Sequence, residues 1–269
     1  MPKRKLLTLI ATSLVIVGIV GVLFTYKSSG AGEEVNQTEV IKNPDITEVM
    51  IESDNATIEV EPTNDEYITV EFTAKETKYN KYKLEIEEDG DSLSVELNDK
   101  AIRFIHFDLD FDFTGPQITV YLPEKQFEEL KINNVNGKIS VENINVGNLN
   151  AKTTNGRIEI EDSKTTNTTV SSENGSIALT YVGGDITSDV VNGSTTLITN
   201  DLDQMIDLES VNGKIKVQTA KEPTNATIEV SVTNGKVDIF GNDSRSAVIG
   251  DGKNKIKLKT VNGSVTVSK

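Results

Sequence analysis

The sequence predicts an all-β chain. An N-terminal transmembrane helix leads into a β-rich domain that continues into a single-stranded parallel β-helix-like repeat stack. Three observations carry this expectation. An uncharged apolar run opens the chain, the middle alternates apolar and polar residues, and the rest repeats Asn-Gly at a nearly fixed interval. After the opening run no segment shows the 3.6-residue apolar period of a surface helix.

Composition narrows the function classes. The 269 residues hold 42 acids against 27 Lys and Arg, with one His, no Cys and no Trp. Without cysteine there is no disulfide staple, thiolate nucleophile or thiolate metal site. His106 alone makes no His-rich metal centre and leaves one imidazole for acid–base work. A formal charge of −15 opposes nucleic acid as a partner, because the phosphate backbone selects basic surfaces. Neither a cofactor nor a metal is expected.

Leu6 to Tyr26 contains 21 residues and no charge. As a helix rising about 1.5 Å per residue it spans roughly 30 Å, the hydrocarbon core of a bilayer. Lys3, Arg4 and Lys5 precede the run and only Lys27 closely follows it. The positive-inside rule then gives a cytoplasmic tail at residues 1–5, a single-pass plasma-membrane anchor at 6–26 and an extracytoplasmic remainder. A cleaved signal peptide is the competing reading, but its apolar region is normally shorter, and Ser28-Ser29-Gly30-Ala31-Gly32 is a poor cleavage site. Residues 27–42 are polar and read as a linker.

Residues 43–130 read as an acidic membrane-proximal β region. Residues 31–130 hold 26 acids and 8 bases, whereas residues 131–269 hold 16 and 15. Period-two alternation marks strands at Ile58/Val60, Ile68/Val70/Phe72, Leu84/Ile86, Leu93/Val95/Leu97 and Ile118/Val120/Leu122. Between Arg103 and Phe113, Ile105, Phe107, Leu109, Phe111 and Phe113 share one strand face. His106, Asp108, Asp110 and Asp112 share the other, a candidate ladder for a divalent cation or polycation. The plainer reading is a solvated face whose like charges discourage aggregation.

Residues 131–269 carry the repeat. Asn-Gly occurs at Asn136-Gly137, Asn155-Gly156, Asn174-Gly175, Asn192-Gly193, Asn212-Gly213, Asn234-Gly235 and Asn262-Gly263. The steps are 19, 19, 18, 20, 22 and 28 residues. Each Gly is followed by one residue and then an alternating pair, from Ile139/Val141 through Thr195/Leu197 to Val265/Val267. Such units bury a core only by stacking. Two arrangements fit. Asn-Gly is a strong hairpin signal, which would give an antiparallel meander. Alternatively it marks the same corner of successive coils in a parallel β-helix, with Asn side chains stacked along it. The steady interval favours coils. The last interval has room for a loop around Gly241 to Asn254.

Ile118-Thr-Val-Tyr-Leu-Pro123, Leu130-Lys-Ile132 and Val135-Asn-Gly-Lys-Ile139, with the later Asn-Gly copies, resemble the bacterial family of candidate adhesins. The resemblance covers roughly residues 45–269. It implies an envelope-associated, β-helix-like ectodomain. The anchor plus one such ectodomain looks most like a member encoded among cell-envelope stress genes of Gram-positive bacteria. The family brings no catalytic residues to carry over.

The expected function is a non-enzymatic, adhesin-like scaffold outside the membrane. One alternative is an accessory partner of an envelope-stress sensor. The other is a cell-wall polysaccharide-active enzyme, which needs placed carboxylates. Against that class, Glu142, Glu159, Glu173 and Asp238 are scattered singly through the repeat. Tyr181 and Phe240, the only aromatics after Leu130, differ in phase and form no sugar clamp. Candidate partners are the membrane through residues 6–26, an envelope protein, a cationic peptide and a cell-wall polymer.

Overall fold

The strands follow the sequence alternation closely. The computed structural model describes residues 32–77, 80–99 and 115–269. The chain runs through β1 (Glu33–Ile41), β2 (Glu48–Asn55), β3 (Thr57–Thr63), β4 (Ile68–Glu76), β5 (Tyr82–Asp89), β6 (Ser92–Asp99) and β7 (Gln117–Pro123). Long and short strands then alternate: β8 (Phe127–Asn136), β9 (Ile139–Glu142), β10 (Asn145–Asn155), β11 (Ile158–Glu161), β12 (Lys164–Asn174) and β13 (Ile177–Thr180). The alternation continues with β14 (Asp185–Asn192), β15 (Thr195–Thr199), β16 (Ile206–Asn212), β17 (Ile215–Thr219), β18 (Ala226–Asn234) and β19 (Val237–Ile239). The last strands are β20 (Ser246–Ile249), β21 (Asn254–Asn262) and β22 (Val265–Ser268). Among the described residues no helix is present, and none is long and apolar enough to cross a membrane. The expected anchor at 6–26, the tail at 1–5 and the face bearing His106, Asp108, Asp110 and Asp112 lie outside the described residues.

Each Asn-Gly turns the chain from one sheet into the other. The long strands stack in parallel in one eleven-stranded sheet and the short strands in a second. Corner asparagines stay in register, as in Asn136↔Asn155↔Asn174↔Asn192↔Asn212. The repeat is therefore a parallel coil stack rather than a meander. The hairpin propensity of Asn-Gly is overridden because each coil bonds to its neighbours: the Gly137 amide donates to the Asn155 carbonyl at 3.1 Å, and Gly156 to Asn174 at 3.2 Å.

The core lies between the sheets. Ile139, Val141, Ile158, Ile160, Leu179 and Leu197 from the short strands are buried against Leu130, Ile132, Leu149, Val170 and Leu208 from the long ones. Burying one such side chain contributes about 1.5–3 kcal/mol. Val237 departs from the pattern and is only half-buried, because β19 is the edge of its sheet.

The acidic half joins the same stack. β2 pairs in parallel with β8, and β3 with β9. β6 lies outside β2 and β7 outside β3, again in parallel. The boundary expected at residue 130 therefore falls inside β8, and the core runs through it. The reason is an extra corner at Asn55-Ala56, followed by the same buried alternation in Ile58 and Val60. The linker expected at 27–42 also needs correction. Residues 33–41 form β1, an edge strand whose polar composition reflects exposure while its backbone pairs antiparallel with β4.

The two ends are not stacked in chain order. At the beginning, the first coil, β2–β3, sits inside the later β6 and β7. At the other end, β21 is inserted between β16 and β18, and β22 between β17 and β19. The interval expected to hold a loop contains β20, which pairs antiparallel with β18 and covers that edge. Charge matches the insertion. Lys257 of β21 is in register with Asp207 of β16 and Glu229 of β18. Lys259 reaches Glu209 at 3.0 Å. Opposite charges on adjacent strands favour this order over β16 against β18, which would set Asp207 beside Glu229.

Candidate functional site

The Asn corner is the most regular surface of the molecule. From Asn234 the amide Nδ2 groups donate in one direction to the Oδ1 atoms of Asn262, Asn212, Asn192, Asn174, Asn155, Asn136 and Asn55, at 2.8–3.0 Å. Asn55 ends the ladder by donating to the Asp99 carboxylate at 2.6 Å. Seven of the eight belong to the Asn-Gly copies; Asn55 was hidden because alanine follows it. Its signal was the Ile58/Val60 pair at the repeat spacing. The glycines let the coils close up. A Cβ on Gly175 would lie 1.7 Å from the Gly156 carbonyl oxygen. Inside the corner, buried Ser172, Ser210 and Thr260 donate to glycine carbonyls of the adjoining coils at 3.0–3.3 Å.

Beside this corner, the outer face of the long-strand sheet carries two depressions. One, of about 450 Å³, is lined by β6, β2, β8 and β10; the other, of about 320 Å³, by β10, β12, β14, β16 and β21. They share Lys152 and so form one groove along the stack. The residue before each corner Asn supplies one wall. Val135, Val191, Val211 and Val261 stand there, 36–44% exposed, with Asp54, Thr154 and Glu173 at the same position on other strands. The outward residues two positions earlier supply the other, including Glu96, Glu52, Lys152, Asp189, Glu209 and Lys259. Val191, Val211 and Val261 are contiguous only because β21 is inserted beside β16; chain order would put Thr233 next to Val211.

The groove is electrostatically crowded. Partial burial pushes the Asp189 carboxyl above its ordinary value, with Glu209 and then Asp207 adding to the shift, while Lys259 opposes it. The opposite sheet presents a paired acid instead. Glu159 meets Lys138 at 2.5 Å and Arg157 at 2.7 Å. The Lys138 hydrogen bond leads in holding its carboxyl below the usual range.

The other residues singled out by sequence are dispersed. Glu173 borders the groove, whereas Asp238 accepts a hydrogen bond from the Gly241 amide at 2.7 Å. Tyr181 and Phe240 occupy one kind of corner, after a short strand, with φ of 54° and 51°. Their phases differ because β19 is one residue shorter than β13. Among the described residues, no group of three or more His, Asp or Glu side chains is placed to hold a metal ion. The sequence missed the groove because its walls come from residues separated by whole coils; the recurring Val-Asn-Gly was the available signal.

The Toastrack DUF4097 family matches the chain over residues 46–182 and 139–268. No curated protein matches. Among solved structures, a candidate cell adhesion protein of Clostridium sporogenes ATCC 15579 is 12% identical, with a TM-score of 0.43 over 88% of this chain and 99% of that one. A candidate adhesin of Parabacteroides distasonis ATCC 8503 is 13% identical, with a TM-score of 0.42 over 89% and 98%. A candidate adhesin of Bacteroides fragilis NCTC 9343 is 10% identical, with a TM-score of 0.40 over 87% and 97%. The two family matches together span both sheets of the coil stack, and the chain belongs to the Toastrack DUF4097 family.

Proposed function

We propose that the chain is a non-enzymatic, adhesin-like scaffold of the bacterial envelope, tethered by residues 6–26 with its coil stack outside the membrane. Its layout resembles that of LiaG, a membrane-anchored cell-envelope stress protein, and the proposal extends to that setting. The carrying observation is the groove of shared residues along the corner of a stack whose backbone is fixed coil by coil. A preformed surface loses little conformational entropy on contact, which suits binding rather than turnover.

Fractionation and protease treatment of intact cells test the placement. The expected result is a membrane-bound chain whose stack is cleaved or shaved from outside. A chain recovered in the cytosol, or protected until cells are lysed, contradicts it. Steady turnover of wall polymers by the purified full chain would replace the scaffold with an enzyme.

A further inference from the structure

The groove carries more than a general binding face. It runs past eight neighbouring strands, from β6 to β21. At about 4.8 Å per strand this is roughly 34 Å, the length of about ten residues of extended polypeptide. Glu52, Asp54, Glu96, Glu173, Asp189 and Glu209 line it against only two cations, Lys152 and Lys259. Lys259 is already held by Glu209 at 3.0 Å. The apolar wall is Val191, Val211 and Val261 on adjoining strands; Val135 stands apart from them, beyond Thr154 and Glu173.

We infer that the groove receives an extended, cationic polypeptide segment, with its Lys or Arg side chains on the carboxylate row and its apolar side chains on the valine row. Charge complementarity selects the partner's sign and guides its approach. The valines distinguish such a segment from a purely basic polymer. The inference rests on reading the chain as a binding scaffold and names the partner's chemistry.

The test is titration of the full-length chain in detergent with a ten-residue peptide alternating Lys and Val. Comparison peptides are decalysine and a Glu–Val alternation. Saturable binding of the Lys–Val peptide is expected, with decalysine at least tenfold weaker and no binding of the Glu–Val peptide. The pair Val211→Ser with Val261→Ser should weaken Lys–Val binding tenfold or more, as should Glu52→Gln combined with Asp54→Asn and Glu96→Gln. These sites face solvent, and circular dichroism checks that the variants fold. Binding unchanged in both variants overturns the inference. So does decalysine binding as tightly as Lys–Val. Self-association of the chain that disappears with the valine changes would assign the groove to a second copy and overturn it too. None of these outcomes alters the fractionation and protease results, so the two readings fail separately.

Discussion

Asn174 shows what a single repeat residue contributes. It donates to Asn155 and accepts from Asn192, both at 2.9 Å. Asn174→Ala removes both bonds at an exposed corner and is expected to cost about 1–2 kcal/mol in denaturant unfolding. Gly175→Ala is expected to cost more, about 2–3 kcal/mol, because its Cβ forces the corner backbone apart. Asp189 works the other way. Its native carboxyl holds a proton more tightly than the unfolded chain does, so its contribution to stability falls as pH rises from the ordinary carboxylate range through the raised value. Asp189→Asn should raise the Tm at neutral pH, and the gain should vanish once the carboxyl is protonated in both states. Thermal unfolding across pH measures both limbs. These corner residues were legible as a column of Asn-Gly. The groove charges were not, since Asp189, Glu209 and Lys259 meet only through strand pairing.

At the level of the strand, alternation fixed which faces turn inward, including polar positions such as Thr153, Ser188 and Thr195. Thr195 opens β15 at an inward position and is fully buried. It hydrogen-bonds Ser188 of β14, also fully buried, at 3.2 Å. Thr195→Val alone leaves the Ser188 hydroxyl unmet and is expected to cost about 1–3 kcal/mol, while adding Ser188→Ala should recover most of that loss. A double-mutant cycle by denaturant unfolding reads the coupling. β21 offers a second test, of electrostatic selection. Lys257→Glu sets an acid between Asp207 and Glu229. It should destabilise the fold by about 1 kcal/mol in low salt, with the loss shrinking as salt rises. β1 was hidden because an edge strand needs partners for its backbone more than an apolar face. Its Glu33–Ile41 segment reads as linker by composition alone.

The described residues share one continuous core, built from coils that depart from chain order at both ends. Interval and alternation made the coil visible but carried no information about which coils adjoin. The 28-residue final interval signalled irregularity, and the lysines of β21 signalled its acidic neighbours. Neither fixes the order until pairing is known. The order matters for function, because inserting β21 beside β16 completes both the valine row and the Glu209–Lys259 pair. Cysteine cross-linking tests this most directly, in a chain that has no cysteine of its own. Lys216 is in register with Thr266, and Thr266 with Asp238. Adjacent partners lie within disulfide reach, whereas positions two strands apart, at about 9.6 Å, do not. Oxidation should therefore cross-link Lys216→Cys with Thr266→Cys and leave Lys216→Cys with Asp238→Cys unlinked. Efficient linking of 216 to 238, with none between 216 and 266, would contradict the coil order and dismantle the groove that depends on it.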